Sequence, residues 1–325
     1  MVHFKMQDYK IGVLLSAYNG EKYITKQIDS IMNQSNVEHI TLLVRNDGST
    51  DNTGAILKKL ENKYSNLQVI DGKNIGLIAS FFKLLNIAVK EYDFDYYAFS
   101  DQDDYWMKNK LQGAVSLLKT KTQAVPLLYG CRSNIVDKNL KPTGFLTQSK
   151  ERKLTFFNTA IQNIIPGHNQ VLNKALARIL VEQKICLDNI YSQDLWIINV
   201  AAVTGNIIFE NKVHTLYRMH GDNELGYGKS KLGRFKSHIK RLEKKETKKM
   251  SLQLQYFLKC YNTFLTNEEV KEIKTFFLSQ KNILKRLEYI KCTKLYRQTS
   301  RETFLYKVLY LIGAYKLKSN ESCEF

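Results

Sequence analysis

Asp95-Tyr-Tyr-Ala-Phe-Ser-Asp-Gln-Asp-Asp-Tyr-Trp106 couples an apolar, aromatic run of strand length to a tight cluster of carboxylates, Asp101, Asp103 and Asp104. Carboxylates this close repel one another, so the cluster needs something positive beside it. A hard divalent cation would meet that need, because such ions take one or two protein carboxylates and complete their shell with substrate phosphates. A second reading fits the same residues: an acidic loop capping a helix that begins near Trp106, where Asp suits both the N-cap and the helix dipole. The segments on the N-terminal side repeat the pattern of strand followed by polar turn. Ile11 to Ser16 is an apolar run ending in Ala17-Tyr-Asn-Gly20, after which Ile24, Ile28 and Ile31 share one helical face. Ile40 to Arg45 is a β-branched run closed by Asn46-Asp-Gly-Ser-Thr-Asp51, before a helix carrying Ile56, Leu57 and Leu60. Leu67 to Asp71 reads as a third strand, and Asn74-Ile-Gly76 opens a helical stretch from about Leu77 to Lys90. Strands alternating with helices imply an α/β architecture: a Rossmann-like, mostly parallel central sheet with helices on both faces. Ligands of such sheets sit beyond the carboxyl ends of the strands, which is where every one of these polar signatures falls.

Val13-Leu-Leu-Ser-Ala-Tyr-Asn-Gly20, Val44-Arg-Asn-Asp-Gly-Ser-Thr-Asp51, Asn74-Ile-Gly76 and Phe99-Ser-Asp-Gln-Asp-Asp-Tyr-Trp106 resemble, in order and spacing, the successive motifs of family 2 inverting glycosyltransferases with the GT-A fold. The Ser-Asp-Gln-Asp-Asp form is most similar to bacterial rhamnosyltransferase-like and capsule or exopolysaccharide enzymes. Weaker similarity runs through Pro166-Gly-His168, Gln193-Asp-Leu-Trp196 and Leu216-Tyr-Arg-Met-His-Gly221, and stops near Gly226. The resemblance implies a GT-A catalytic domain over 1–226, with a nucleotide-binding half to about 106 and an acceptor half over about 107–226. A basic helical region would occupy 227–325.

The same resemblance implies the chemistry. A sugar would pass, with inversion, from a UDP-hexose or dTDP-rhamnose to a hydroxyl of a glycan acceptor, lipid-linked, in bacterial cell-surface polysaccharide synthesis. Ala17, Tyr18, Asp47, Asn74, Asp101, Gln102 and Arg218 would bind the nucleotide sugar, with Tyr18 bordering the base and Asp47 accepting hydrogen bonds from its imide or ribose. Asp101, Asp103 and His220 would hold a divalent metal, Mn2+ or Mg2+, as Lewis acid on the diphosphate. Gly167, His168 and Trp196 would lie on the acceptor side. Asp194 would take the acceptor's proton, although Gln193 stands where related sequences carry Glu or His. Simpler roles fit several of these residues: Asn46-Asp-Gly-Ser49 also has turn and N-cap chemistry, and Asp104 and Asp194 each suit a helix cap. The alternative to an enzyme is a non-catalytic module, derived from one, that binds nucleotide sugar or polysaccharide. A degenerate descendant would be expected to have lost at least one of Asp101, Asp103 and Asp194.

Composition constrains the setting. The chain has 325 residues, 44% of them hydrophobic, which suits one large α/β domain and an appended helical piece. Met1 to Lys10 has no secretory character, and no apolar run reaches the roughly 20 residues of a membrane span. Cys131, Cys186, Cys260, Cys292 and Cys323 lack paired spacing, and read as buried thiols in a reducing compartment. The expected location is cytoplasmic, peripheral on the inner face of the cell membrane. The formal net charge of +18 concentrates late in the chain: ten Lys or Arg stand against two Glu from Lys229 to Met250. There Leu232, Phe235, Ile239 and Leu242 recur at helical spacing, giving a basic amphipathic helix suited to an anionic membrane surface, or else to packing on the catalytic domain. Nucleic acid is not an expected partner, because no interleaved aromatic and basic module accompanies the charge.

Overall fold

Along β1 (Lys10–Ala17), Ile11, Val13, Leu15 and Ala17 alternate with Gly12, Leu14 and Ser16, and both sets are buried. A strand covered on both faces belongs inside a parallel sheet. The computed structural model, which describes residues 9–220 and 246–317, places it there. β2 (His39–Asp47) and β4 (Tyr96–Ser100) flank β1 in parallel, and β3 (Leu67–Gly72) extends β2 in the same sense. Helices α1 (Ile24–Met32), α2 (Thr53–Lys63) and α3 (Leu77–Glu91) make the connections. The odd-numbered side chains of β1 meet Ile24, Ile28 and Ile31 of α1 and Leu57 and Leu60 of α2 in one core cluster. Leu111, Ala114, Val115 and Leu118 of α4 (Lys110–Leu118) join the same cluster. On the other face Phe81 of α3 packs edge-on against Phe99 of β4 at 5.6 Å. The ring of Phe94 covers Gly12, where a Cβ would come within 2.4 Å of it.

The second half of the sheet mixes directions. β4 pairs antiparallel with β8 (Val171–Asn173), and β8 with β6 (Leu127–Val136), while β6 runs parallel to β9 (Asn206–Arg218). The order is β3-β2-β1-β4-β8-β6-β9 and then β5 (Tyr105–Trp106), with β7 (Pro142–Leu146) beside β6. Most paired residues lie in parallel ladders, as expected. One local expectation is corrected. No helix begins near Trp106, because Tyr105–Trp106 form β5, opposite Leu216 and Thr215 of β9, and α4 starts only at Lys110. A pairing partner more than a hundred residues away overrides the local acidic-cap signal.

The described residues form two compact units, the first comprising 9–149 with 164–184 and 204–220, the second 150–163, 185–203 and 246–317. Within the second, Trp196 of α7 (Gln193–Thr204) packs on Phe257 at 5.3 Å and Tyr261 at 5.7 Å, both on the helix Glu246–Tyr261. The helices Asn267–Leu278, Ile283–Cys292 and Ser300–Leu311 bury Phe276, Tyr289, Tyr306 and Tyr310. Buried Gln298 accepts from the backbone N–H groups of Glu151 and Arg152 and donates to Asn158, which fixes the segment 150–163 in this unit. Leu232, Phe235, Ile239 and Leu242, like the expected boundary at 226, lie outside the described residues. No described helix is long and apolar enough to cross a membrane. Among the described residues the expectation of buried thiols holds for Cys131; Cys260 is half-buried, Cys186 and Cys292 are exposed, and Cys323 lies outside the described residues.

Candidate active site

The turns that follow the parallel strands converge at one edge of the sheet. After β1, Gln102 closes on the backbone of Tyr18, accepting from its N–H and donating to its carbonyl, both at 2.9 Å. This clasp leaves the Tyr18 ring exposed, while Ala17 is buried. After β2, Asp47 is buried and its carboxylate is already engaged. It pairs with buried Arg45 and accepts from the N–H groups of Ile75 at 2.9 Å and Gly76 at 3.0 Å. Asn74 caps the same turn, accepting from Gly76 N–H at 3.1 Å. Gly76 has φ of +83°, a conformation in which glycine avoids the Cβ strain of other residues. Asp47 thus ties the second and third turns together.

After β4 the acidic cluster divides. Asp103 meets His220 Nε2 at 2.6 Å, joining two of the three residues expected at the metal. Asp101, the third, turns instead toward His168, whose Nδ1 lies 3.3 Å from Asp101 Oδ2 and 3.2 Å from Asp104 Oδ2. Ligand atoms of Asp101, Asp104 and His168 all lie within 4.8 Å of one another. Asp104 is therefore no helix cap: it is fully buried, and its Oδ1 accepts from Arg218 N–H at 3.1 Å. Its Oδ2 has an ion-pair distance to His168 but no hydrogen bond of acceptable geometry. Burial pushes the Asp104 carboxyl up to about 7, with Asp103 and Asp101 adding to the shift and His168 opposing it. Asp103 is raised for the same reasons, burial first and then the charge of Asp101, against His220. On His168 burial acts downward, but the two carboxylates outweigh it and the ring is held above its ordinary value.

Behind His168 lies a polar network that sequence reasoning missed. Gly167–Asn169 form a single tight turn before β8. Its His168 Nε2 lies 3.0 Å from Ser133 Oγ, which also accepts from Asn169 Nδ2 at 2.7 Å. Buried Lys110 donates to the His168 carbonyl and to Thr215 Oγ1 at 2.7 Å, with its ammonium 4.0 Å from the Trp106 ring centroid. Burial pulls that ammonium down to about 8. His168, expected on the acceptor side, is thus a buried member of the acidic cluster, with ring stacking against Tyr217 at 5.2 Å.

Arg218 is buried as well. Its Nε donates to the Asp103 carbonyl at 2.6 Å and Nη1 to the Lys138 carbonyl at 2.7 Å, while the guanidinium lies over Tyr23 at 4.5 Å. Tyr23 in turn stacks on His220 at 5.1 Å. Arg218 therefore shapes the Asp103 turn directly. Asp194 and Trp196 belong to the second unit, at the start of α7. Ser192 occupies the position before the helix, and its hydroxyl donates to Asp194, whose Oδ1 also accepts from Leu195 N–H at 2.8 Å. Asp194 sits in the first turn, where the helix dipole favours its charge. Trp196, expected on the acceptor side, is fully buried.

Comparison with known proteins gives consistent matches. The family model described as "Glycosyl transferase family 2" matches residues 12–180. The chain is 30% identical over 243 residues to the dTDP-rhamnosyl transferase RfbG of Shigella flexneri, covering 70% of this chain and 78% of that protein. It is 24% identical to the UDP-Glc:alpha-D-GlcNAc-diphosphoundecaprenol beta-1,3-glucosyltransferase WfaP of Escherichia coli, over 65% of this chain and 77% of that one. Among solved structures, TarS 1-349 of S. aureus in complex with UDP superposes with a TM-score of 0.56 at 18% identity, covering 94% of this chain and 89% of that one. The mannosyltransferase PcManGT of Pyrobaculum calidifontis, with GDP-Man and Mn2+, gives 0.56 at 16% identity, covering 95% and 87%. At such identities these structures establish the fold, and it is the GT-A arrangement.

Proposed function

Because this chain belongs to glycosyl transferase family 2, we propose that it moves a sugar, with inversion, from a UDP-hexose or dTDP-rhamnose donor to a hydroxyl of a lipid-linked glycan. The setting is bacterial cell-surface polysaccharide synthesis on the cytoplasmic face of the membrane, with catalysis confined to residues 1–226. The observation that carries the reading is the buried Asp104 Oδ2, a carboxyl oxygen without a hydrogen bond, facing Asp101 and the Nδ1 of His168. A buried polar oxygen left without a partner is costly, and a cation bound there offsets that cost and favours the ionised carboxylates. With a cation in place of the Nδ1 proton, His168 would keep hydrogen on Nε2 toward Ser133 and turn the Nδ1 lone pair to the ion, giving a donor set of oxygen and imidazole nitrogen suited to Mn2+. Asp101, Asp104 and His168 would hold the ion, with Asp103 and His220 beside them. When bound, it supplies Lewis-acid stabilisation of the charge developing on the departing diphosphate.

The chain's own residues do the rest. Tyr18, held by Gln102, borders the nucleotide base. Asp47 fixes the turns of Asn74 to Gly76 against which the nucleoside lies. Arg218 and Tyr23 keep the Asp103 turn and His220 in place before substrate arrives, so little reorganisation is left for the reaction. Asp194 accepts the proton from the acceptor hydroxyl. The test is donor hydrolysis and transfer measured across a panel of UDP- and dTDP-sugars with Mn2+ or Mg2+. Turnover with one donor, abolished by excess chelator and by Asp104→Asn, is the expected result. Full turnover in chelator would overturn the role of the acidic cluster, and binding of every donor without turnover would favour a non-catalytic module.

A further inference from the structure

We propose that the helices Ile283–Cys292 and Ser300–Leu311 form a docking surface for an anionic lipid membrane. Along Ser300–Leu311, Tyr306 and Tyr310 face the core, and the i, i+4 spacing carries Phe304 and Val308 to the opposite side, with Ile312 continuing the row. On the neighbouring helix Tyr289 is buried, and Ile283, Leu284 and Leu287 are exposed. Arg286 Nη1 donates to the Leu311 carbonyl at 2.7 Å, tying the start of the first helix to the end of the second, where Ile312 lies. Exposure is high for such side chains: 68% for Leu284, 69% for Phe304 and 67% for Ile312. Apolar residues scattered singly over a surface need no explanation, but rows of them on two adjoining helices mark an interaction site.

Charge selects the occupant. From Lys281 to Ile312 the chain carries eight Lys or Arg against Glu288 and Glu302 alone. Lys281, Lys285, Lys291 and Arg301 are exposed around the apolar rows. A second copy of the chain would bring the same positive charge to the contact, and so would the chain's own basic stretch from 229 to 250. Anionic headgroups neutralise the basic rim while the apolar side chains enter the acyl boundary, the mode of interfacial helices lying in the membrane plane. This surface extends the functional reading to a named set of residues. It fails separately from that reading, because donor hydrolysis requires no membrane.

The test is co-sedimentation of the full chain with phosphatidylglycerol-containing vesicles and with pure phosphatidylcholine vesicles. The chain should pellet with the anionic vesicles, and binding should weaken as salt rises. The variant Leu284→Ser/Phe304→Ser/Ile312→Ser keeps every charge and should lose about tenfold or more in vesicle affinity. Lys291→Glu/Arg301→Glu should lose a similar factor, with circular dichroism and donor hydrolysis unchanged in both. Wild-type affinity in the triple Ser variant would overturn the proposal, as would equal binding to neutral vesicles. A wild-type chain that is dimeric and ignores vesicles, with the triple Ser variant monomeric, would overturn it in favour of a second copy.

Discussion

Asp104 shows how burial changes the meaning of a residue. In isolation it suits a helix N-cap as well as a metal site, and only its neighbours decide: Arg218 N–H on one oxygen, His168 near the other, and no helix within reach. Lys110 carries the same lesson from the opposite charge. Its ammonium supports the His168 carbonyl and Thr215, so Lys110→Met strips those two acceptors of their donor, while Asn169 Oδ1 keeps the Thr215 hydroxyl. Each stranded group costs about 1–3 kcal/mol, and chemical denaturation should register a loss of at least that size. Because the His168 turn loosens, Mn2+ affinity read by titration calorimetry should fall as well; unchanged stability and affinity would show the network to be incidental. Asp194 is tested by removing its basicity at nearly constant shape. Asp194→Asn should lower kcat by roughly 10² to 10⁴ with donor affinity barely altered, since a general base acts on the acceptor in the transition state. If Asp194 only favours the helix start, Asn serves almost as well, and near-native transfer would send the search for the base to Asp188.

The elements themselves divide by how local their causes are. The parallel strands β1 to β4 and the helices between them follow runs and turns that lie within a few residues of each other, and the structure keeps them with ends shifted by a residue or two. The alternative reading of a helix start near Trp106 fails because a two-residue strand has no periodicity of its own, and the β5 partners Leu216 and Thr215 lie far along the chain. The α7 to β9 junction is another long-range feature. Gly205 joins them, and a Cβ there would come within 1.9 Å of the Pro126 carbonyl, a backbone atom that also accepts from Asn206 N–H at 2.9 Å. Gly205→Ala must therefore displace the start of β6 or of β9. We expect a loss of about 1–3 kcal/mol in urea unfolding, of the size seen when a packed region is overfilled. A variant as stable as the wild type would mean that the junction yields freely.

For the molecule as a whole, local patterns along the chain suffice for the α/β class, the strand and helix order of the first hundred residues, and the gathering of polar turns at the carboxyl ends of the strands. They do so because side-chain periodicity and turn chemistry are local, and because parallel topology then forces those turns to one edge. The family followed from the same turns. The sequence also located the positive charge late in the chain, since charge is additive and needs no coordinates. Which carboxylate faces which histidine depends on long-range packing. Asp101, Asp103 and Asp104 are nearly equivalent on paper. Asp103 goes to His220 and the other two to His168 because β5 pairs with β9 and the 167–169 turn enters between β4 and β6. Only the tertiary structure revealed Ser133, Asn169 and Lys110 as the support of that site, because residues 110, 133, 169 and 215 share no spacing and are joined solely by the sheet. The apolar rows of the last two helices likewise became visible only when the burial of Tyr289, Tyr306 and Tyr310 fixed which side of each helix faces the core, leaving Leu284, Phe304 and Ile312 to face outward.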